Sequence, residues 1–204
     1  MTLVLSIDVG IRNFCFSIVH FSNQSFDVQC IEKVQIGEPG WKGHDLANAM
    51  IAFLHTSSDI SSRVFDYVLV ESQVCHAVKN TILSYVVVTY FMTMCRVRGM
   101  EETKIHFIPP RSKFDAVYAR FPGLKCIGEN SNQNQHRITK GRGKDLKDLS
   151  VELAKAIFDE YNVVKGFEAF SKYYPKLDDV ADTFLQSFCV LVVKTLHKHK
   201  PFTR

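Results

Sequence analysis

Two apolar runs, Leu3 to Asp8 and Tyr67 to Glu71, each close on an acidic residue, and a third acidic group, Asp178, Asp179 and Asp182, stands near the other end of the chain. Tyr67 to Val70 is short, continuous and apolar, the pattern of a strand covered on both faces. Such a strand belongs inside a sheet that helices flank. A carboxylate set where a buried strand meets solvent costs free energy unless a cation or a substrate uses it, so the constellation predicts a divalent-metal site.

The order of elements fills in this architecture. Leu3 to Val9, Asn13 to Phe21 and Phe26 to Gln35 are strand-like runs separated by Gly10 and the polar turn Ser22 to Ser25, which predicts an antiparallel meander. Leu46, Ala49, Met50 and Phe53 stand at helical spacing and predict a helix over Gly43 to His55. The chain then crosses to Tyr67 to Val70 in the sheet centre. A long helix over about residues 75–98 follows, then a strand at Lys104 to Ile108 stopped by Pro109 and Pro110, then a short helix near Ser112 to Phe121. Residues 122–144, rich in Asn, Gln and Gly, read as a mobile basic loop, and Asp145 to Tyr161 and Asp178 to His197 as two further helices. The predicted fold is α/β: one domain over residues 1–204, with a mixed five-stranded sheet, three antiparallel strands then two parallel, flanked by helices.

With 204 residues and 46% hydrophobic content, the chain is large enough to bury one sizeable core. A net charge of +4 suits a nucleic-acid partner without requiring one. Cys15, Cys30, Cys75, Cys95, Cys126 and Cys189 form no CxxC pair and mostly sit in apolar stretches, which predicts reduced thiols, an intracellular setting and no zinc site. No basic leader precedes Leu3, so neither secretion nor mitochondrial import is expected. The uncharged stretch Asn80 to Cys95 is short for a bilayer and contains Thr, Tyr and Ser, so no membrane partner is expected.

Three motifs then fall at the ends of the elements: Ile7-Asp8-Val9-Gly10-Ile11-Arg12-Asn13, Val68-Leu69-Val70-Glu71-Ser72-Gln73 and Lys176-Leu177-Asp178-Asp179-Val180-Ala181-Asp182. In this order and placement the chain resembles the ribonuclease H-like fold and, within it, the RuvC-type Holliday-junction resolvases of the poxvirus and fungal mitochondrial branch. The resemblance spans most of the chain and is weakest between Phe121 and Gly141. It implies a metal-dependent, structure-selective endonuclease that resolves four-way DNA junctions by paired symmetric cuts, with two Mg²⁺ ions, replaceable by Mn²⁺. It also implies a homodimer through the helix at about 75–98, and a role in viral recombination or concatemer resolution in a cytoplasmic viral factory.

The residues support this chemistry in their own right. Phosphodiester hydrolysis needs an activated water and stabilisation of charge on the attacking and leaving oxygens, and two Mg²⁺ or Mn²⁺ ions about 4 Å apart provide both. Such hard cations take oxygen ligands. Asp8, leaving the central first strand, is the candidate to bridge the ions, and Glu71 the candidate to bind one. On the last helix Asp179 and Asp182 are three apart and share a face, while Asp178 and Asp182, four apart, do so equally. The resemblance favours Asp179 with Asp182. Plainer roles compete: an Asp ending a strand near glycine forms turns, and Asp178 suits a helix N-cap, a role that fits Asp182 less well, past the first residues of the helix and among Val180, Ala181, Phe184 and Leu185.

Arg137, Lys140, Arg142, Lys144 and Lys147 gather around Gly141 and Gly143, a glycine-hinged basic segment suited to phosphates. The resemblance makes Lys147 or Lys144 the active-site lysine and gives Lys113 a phosphate contact; Arg12 joins the DNA-binding candidates. The long helix carries Val78, Ile82, Leu83, Tyr85, Val86, Val87, Val88, Phe91, Met92 and Met94, too many apolar residues for one stripe, so it is expected to bury two faces. A dimer helix would do so, since symmetric cuts need two identical sites at a fixed spacing. Two other classes stay open: another ribonuclease H-like nuclease, cutting RNA–DNA hybrids or flaps, and a non-catalytic DNA-binding module. A sugar-kinase or actin-like ATPase, whose first strand also ends in Asp-x-Gly, requires a longer two-lobed chain and a Thr-rich phosphate loop where Ile11-Arg12-Asn13 stands.

Overall fold

Strands β1 (Thr2–Asp8), β2 (Phe14–Phe21) and β3 (Phe26–Val34) pair antiparallel in succession. On the other side of β1, β4 (Tyr67–Glu71) and then β5 (Lys104–Ile108) add in parallel, giving the order β3-β2-β1-β4-β5. This is the ribonuclease H-like mixed sheet that the sequence predicts. The computed structural model describes residues 1–22, 25–73, 77–99, 102–125, 143–174 and 176–191. Between β1 and β2 the chain turns at Gly10, where a Cβ would come within 2.7 Å of the Asn13 carbonyl oxygen, so only glycine fits without a backbone shift.

The strand period of two decides what each face receives. Leu5 and Ile7 of β1 join Phe14, Phe16 and Ile18 of β2 on one face, under α1 (Gly43–Thr56) and α3 (Val78–Val97). Val4, Cys15 and Val19 lie on the other, under α4 (Ser112–Arg120), α5 (Gly143–Glu160) and α7 (Asp178–Ser187). Asp8 has the parity of Val4, and Glu71 that of Leu69, which belongs to the same cluster. Both carboxylates therefore leave the sheet on the side of α7.

Helix α7 is held there by aromatic packing. Phe184 stacks on Phe158 of α5 with ring centroids 4.4 Å apart, and Phe188 meets Phe21 of β2 edge-on at 5.3 Å. Phe184 and Phe188 are fully buried, each contributing about 2 kcal/mol by removal from water.

The structure departs from the sequence reading in several places. Two short helices, α2 (Ser58–Ser61) and α6 (Val164–Ser171), stand where none is predicted. Gly166 interrupts the helical pattern of α6, but a side chain there would meet Phe158 at 2.8 Å, so the glycine lets the helix close on the core. The long helix begins at Val78, and residues 74–76 lie outside the described residues. Pro122–Leu124 forms a 3-10 turn, α5 begins at Gly143, and residues 126–142 are again outside the description. Leu177, not Asp178, caps α7, whose regular helix ends at Ser187 before a further turn to Leu191.

One face of α3, with Leu83, Val87 and Phe91, is buried in the core. Its other face leaves Val78, Ile82, Tyr85 and Met92 exposed and, with Ile51 of α1, borders an apolar groove of about 560 Å³. Cys15, Cys95 and Cys189 are buried and Cys30 half-buried, all with free thiols; burial pushes that of Cys189 up to about 12. Cys75 and Cys126 lie outside the described residues. Among the described residues no helix is long and apolar enough to cross a membrane.

Candidate metal centre

Because β1 and β4 run parallel with Ile7 opposite Val70, Asp8 and Glu71 emerge side by side at the carboxyl end of the sheet. The first turn of α4 brings Lys113 to them from one direction, and α7 brings Asp182 from another. The Lys113 ammonium lies 3.3 Å from Glu71 Oε1 and 2.8 Å from Asp182 Oδ1, the closer contact being poorly angled for a hydrogen bond. Its side chain is 6% exposed. Burial alone would favour loss of the proton, yet Asp182 and Glu71 hold Lys113 above the usual lysine range.

Asp8 shows the opposite imbalance. Burial first, then the charge of Glu71, a hydrogen bond with Glu71 and the charge of Asp182 push its carboxyl well above the usual range, against the pull of Lys113. Three carboxylates thus face one ammonium. Protonating Asp8 relieves the excess negative charge; a bound cation would relieve it as well, and the all-oxygen donor set matches Mg²⁺ or Mn²⁺. The residues fit such an ion.

Beside this core the other two aspartates of α7 pair with different lysines. Asp179 pairs with Lys33 of β3 at 2.5 Å, both side chains largely covered. Asp178 pairs with Lys147 of α5. Burial works against ionisation of Asp178, but the Lys147 hydrogen bond outweighs it and holds the carboxyl below its usual range; the same bond raises Lys147. Glu71, Asp182 and Lys113 line a cleft of about 250 Å³ together with Arg111, Lys147 and Ser150. Lys147, 57% exposed, stands at its mouth.

No protein-family model and no curated protein matches the chain. Solved structures do. The yeast mitochondrial Holliday junction resolvase Ydc2 is similar over 96% of this chain and 82% of its own, with a TM-score of 0.64 and 15% identity. Fowlpox virus resolvase, solved with substrate Holliday junction DNA, is similar over 95% of this chain and 98% of its own, with a TM-score of 0.58 and 18% identity. Thermus thermophilus RuvC, solved with a Holliday junction substrate, is similar over 98% of this chain and 99% of its own, with a TM-score of 0.59 and 14% identity. The fold is that of the RuvC-type resolvases.

On this resolvase fold, the residues singled out in the sequence fall in different places. Asp8, Glu71, Asp182 and Lys113 come together at the strand ends. Asp178, Asp179 and Lys147 flank them, each held in an ion pair. Arg12 sits apart in a pair with Glu38 at 2.9 Å, its side chain 63% exposed. Lys144 lies in the first turn of α5, while Arg137, Lys140 and Arg142 fall outside the described residues. Sequence reasoning misses Lys33, whose partner is 146 positions away and leaves no local signal. Away from this end of the sheet, Cys30, Glu32 and Asp59 bring ligand atoms within 4.8 Å of one another, with Arg63 pairing Asp59 at 3.0 Å. That cluster is the one described group already gathered so closely; at the strand ends Lys113 stands between Glu71 and Asp182.

Proposed function

We propose that this protein is a metal-dependent, structure-selective endonuclease that resolves four-way DNA junctions by paired symmetric cuts. The observation that carries the reading is the convergence of Asp8, Glu71 and Asp182 on a single buried ammonium at the carboxyl end of a resolvase-type sheet. Asp8, Glu71, Asp182 and Asp179, with Asp178 as the alternative to Asp179, would hold two Mg²⁺ ions. Bound there, the ions supply an activated water and offset charge on the scissile phosphate.

The chain's own residues set up the rest. Lys113 offsets part of the charge of the carboxylates. Lys147, at the mouth of the cleft, is placed to neutralise the phosphate that enters it, and Arg12, Lys144, Arg137, Lys140 and Arg142 supply backbone contacts to branched DNA. A homodimer through the exposed apolar face of α3 would hold two such sites at the fixed spacing that paired cuts require. A setting in viral recombination or concatemer resolution is part of this proposal; the fold itself is shared with a poxvirus, a yeast mitochondrial and a bacterial resolvase.

The test is cleavage of a synthetic four-way junction in Mg²⁺, Mn²⁺ or EDTA, beside duplex and RNA–DNA hybrid controls and an Asp8→Asn variant. Paired nicks in the junction that disappear with EDTA and with Asp8→Asn are expected. An intact junction beside a cleaved hybrid would transfer the protein to another ribonuclease H-like nuclease class, and no cleavage of any substrate would leave only DNA binding.

A further inference from the structure

Helix α7 is polar at three fully buried positions, and two of them are satisfied within the helix: Thr183 donates to the Val180 carbonyl and Ser187 to that of Phe184. The third, Gln186, is 1% exposed and reaches across to the sheet. Its Nε2 lies 3.1 Å from the Leu69 carbonyl oxygen of β4 and, more loosely, 3.4 Å from that of Ile7 on β1. Both targets only accept, so the amide NH₂ is the group that faces them. Ile7 immediately precedes Asp8, Leu69 stands two residues before Glu71, and Gln186 lies one turn beyond Asp182 on its own helix. One side chain therefore touches both carboxylate-bearing strands from the helix that carries the third carboxylate.

A buried amide is costly to keep unless its hydrogen bonds are made, and an apolar side chain of equal size would fill this space without that requirement. We propose that Gln186 is a positioning residue for metal binding: it ties α7 to the seam between β1 and β4 and so sets the spacing of Asp182 from Asp8 and Glu71. This rests on the reading of those carboxylates as a metal site. Mg²⁺ demands near-ideal ligand geometry, so a small loosening of α7 is felt as lost affinity.

A second tie provides the comparison. Ser17 of β2 donates to the Thr183 carbonyl at 2.9 Å, fastening the same helix to a strand that brings no carboxylate to the site. Mn²⁺ binding to the full-length protein without DNA, read from the free-Mn²⁺ signal in electron paramagnetic resonance, is compared for wild type, Gln186→Met, Ser17→Ala and Asp8→Asn, with urea unfolding in EDTA beside it. Gln186→Met, near-isosteric but without a donor, is expected to weaken Mn²⁺ binding about tenfold, the lower end of what losing a group that orients metal ligands costs. Ser17→Ala is expected to lose stability and keep wild-type Mn²⁺ affinity. Gln186→Asn, which draws the amide back by one methylene without adding bulk, tests the same ranking should the Met variant not fold. If the Gln186 variants lose stability alone and bind Mn²⁺ like wild type, the positioning role is overturned while the metal site stands. If wild type binds no Mn²⁺, or Asp8→Asn binds it equally well, the metal-site reading fails and takes this inference with it.

Discussion

Asp182 Oδ1 lies 2.8 Å from the Lys113 ammonium, and Glu71 Oε1 lies 3.3 Å from it on another side, so one buried cation serves two carboxylates from different layers of the fold. Removing it leaves Asp8, Glu71 and Asp182 to repel one another in a desolvated site. Lys113→Met is expected to lose about 3 kcal/mol of stability in EDTA, the scale seen when one partner of a buried pair is deleted. Mg²⁺ should restore much of that loss, since it replaces the missing charge. Urea unfolding in EDTA and in Mg²⁺ checks this; an equal loss in both would mean that Lys113 does not occupy the cation's electrostatic place.

The raised carboxyl of Asp8 makes stability depend on pH in a defined direction. Between the ordinary carboxyl range near pH 4 and the raised value, the folded chain holds a proton that the unfolded chain has released. Stability of the metal-free protein therefore falls as pH rises through that window and levels off above it. Asp8→Asn has no such proton to lose. Its unfolding free energy should stay flatter across the window and exceed that of wild type at neutral pH in EDTA, while Mg²⁺ protects only wild type. A wild-type curve rising over the same window would contradict the burial and charge placed on Asp8.

How much of this was legible in the sequence depends on the range of each interaction. Strand parity is local: Asp8 falls with Val4 and Glu71 with Leu69, so their shared side of the sheet follows from alternation once the strands are recognised. Helical spacing is local too, but it leaves Asp178 and Asp179 equivalent, because which neighbour each meets is set by β3 and α5, far off in the chain. The N-cap expectation for Asp178 fails for the same reason: Lys147 draws the side chain toward α5, and Leu177 takes the cap. Gln186 shows no signal in a one-dimensional pattern, since a polar residue on a helix reads as solvent-facing until the sheet beneath it is known.

The pairing of Asp179 with Lys33 yields a test of which aspartate joins Asp182. An ammonium at 2.5 Å competes with any cation for the same carboxylate. Lys33→Met should then lower the Mg²⁺ concentration needed for half-maximal junction cleavage severalfold if Asp179 is a ligand, and Asp179→Asn should abolish cleavage. If Asp178 is the ligand instead, Asp178→Asn abolishes cleavage, Lys147→Met lowers the Mg²⁺ requirement but also slows cleavage at saturating Mg²⁺ because Lys147 faces the phosphate as well, and the Lys33 variant changes stability alone. Titrating Mg²⁺ against cleavage for the four variants separates the two assignments.

The exposed face of α3 supplies the last prediction. Ile82 and Tyr85 are 43% and 60% exposed, and with Ile51 they border an apolar groove of about 560 Å³ at the surface. An apolar patch of this kind on a helix already packed through its opposite face suits a partner surface. A self-complementary contact would place one copy's α3 against the other's about a two-fold axis. Wild type is expected to sediment as a dimer, and Ile82→Glu, which puts a charge in the centre of the contact, to weaken association about tenfold or more. Because Ile82 faces away from the core, the variant should unfold as wild-type monomer does and still bind Mn²⁺. Its junction products then discriminate: single unpaired nicks, or none, would tie paired cutting to the α3 contact. Paired nicks from a monomeric variant, or a wild-type protein that sediments as a monomer, would remove the dimer from the mechanism and leave each active site to act alone.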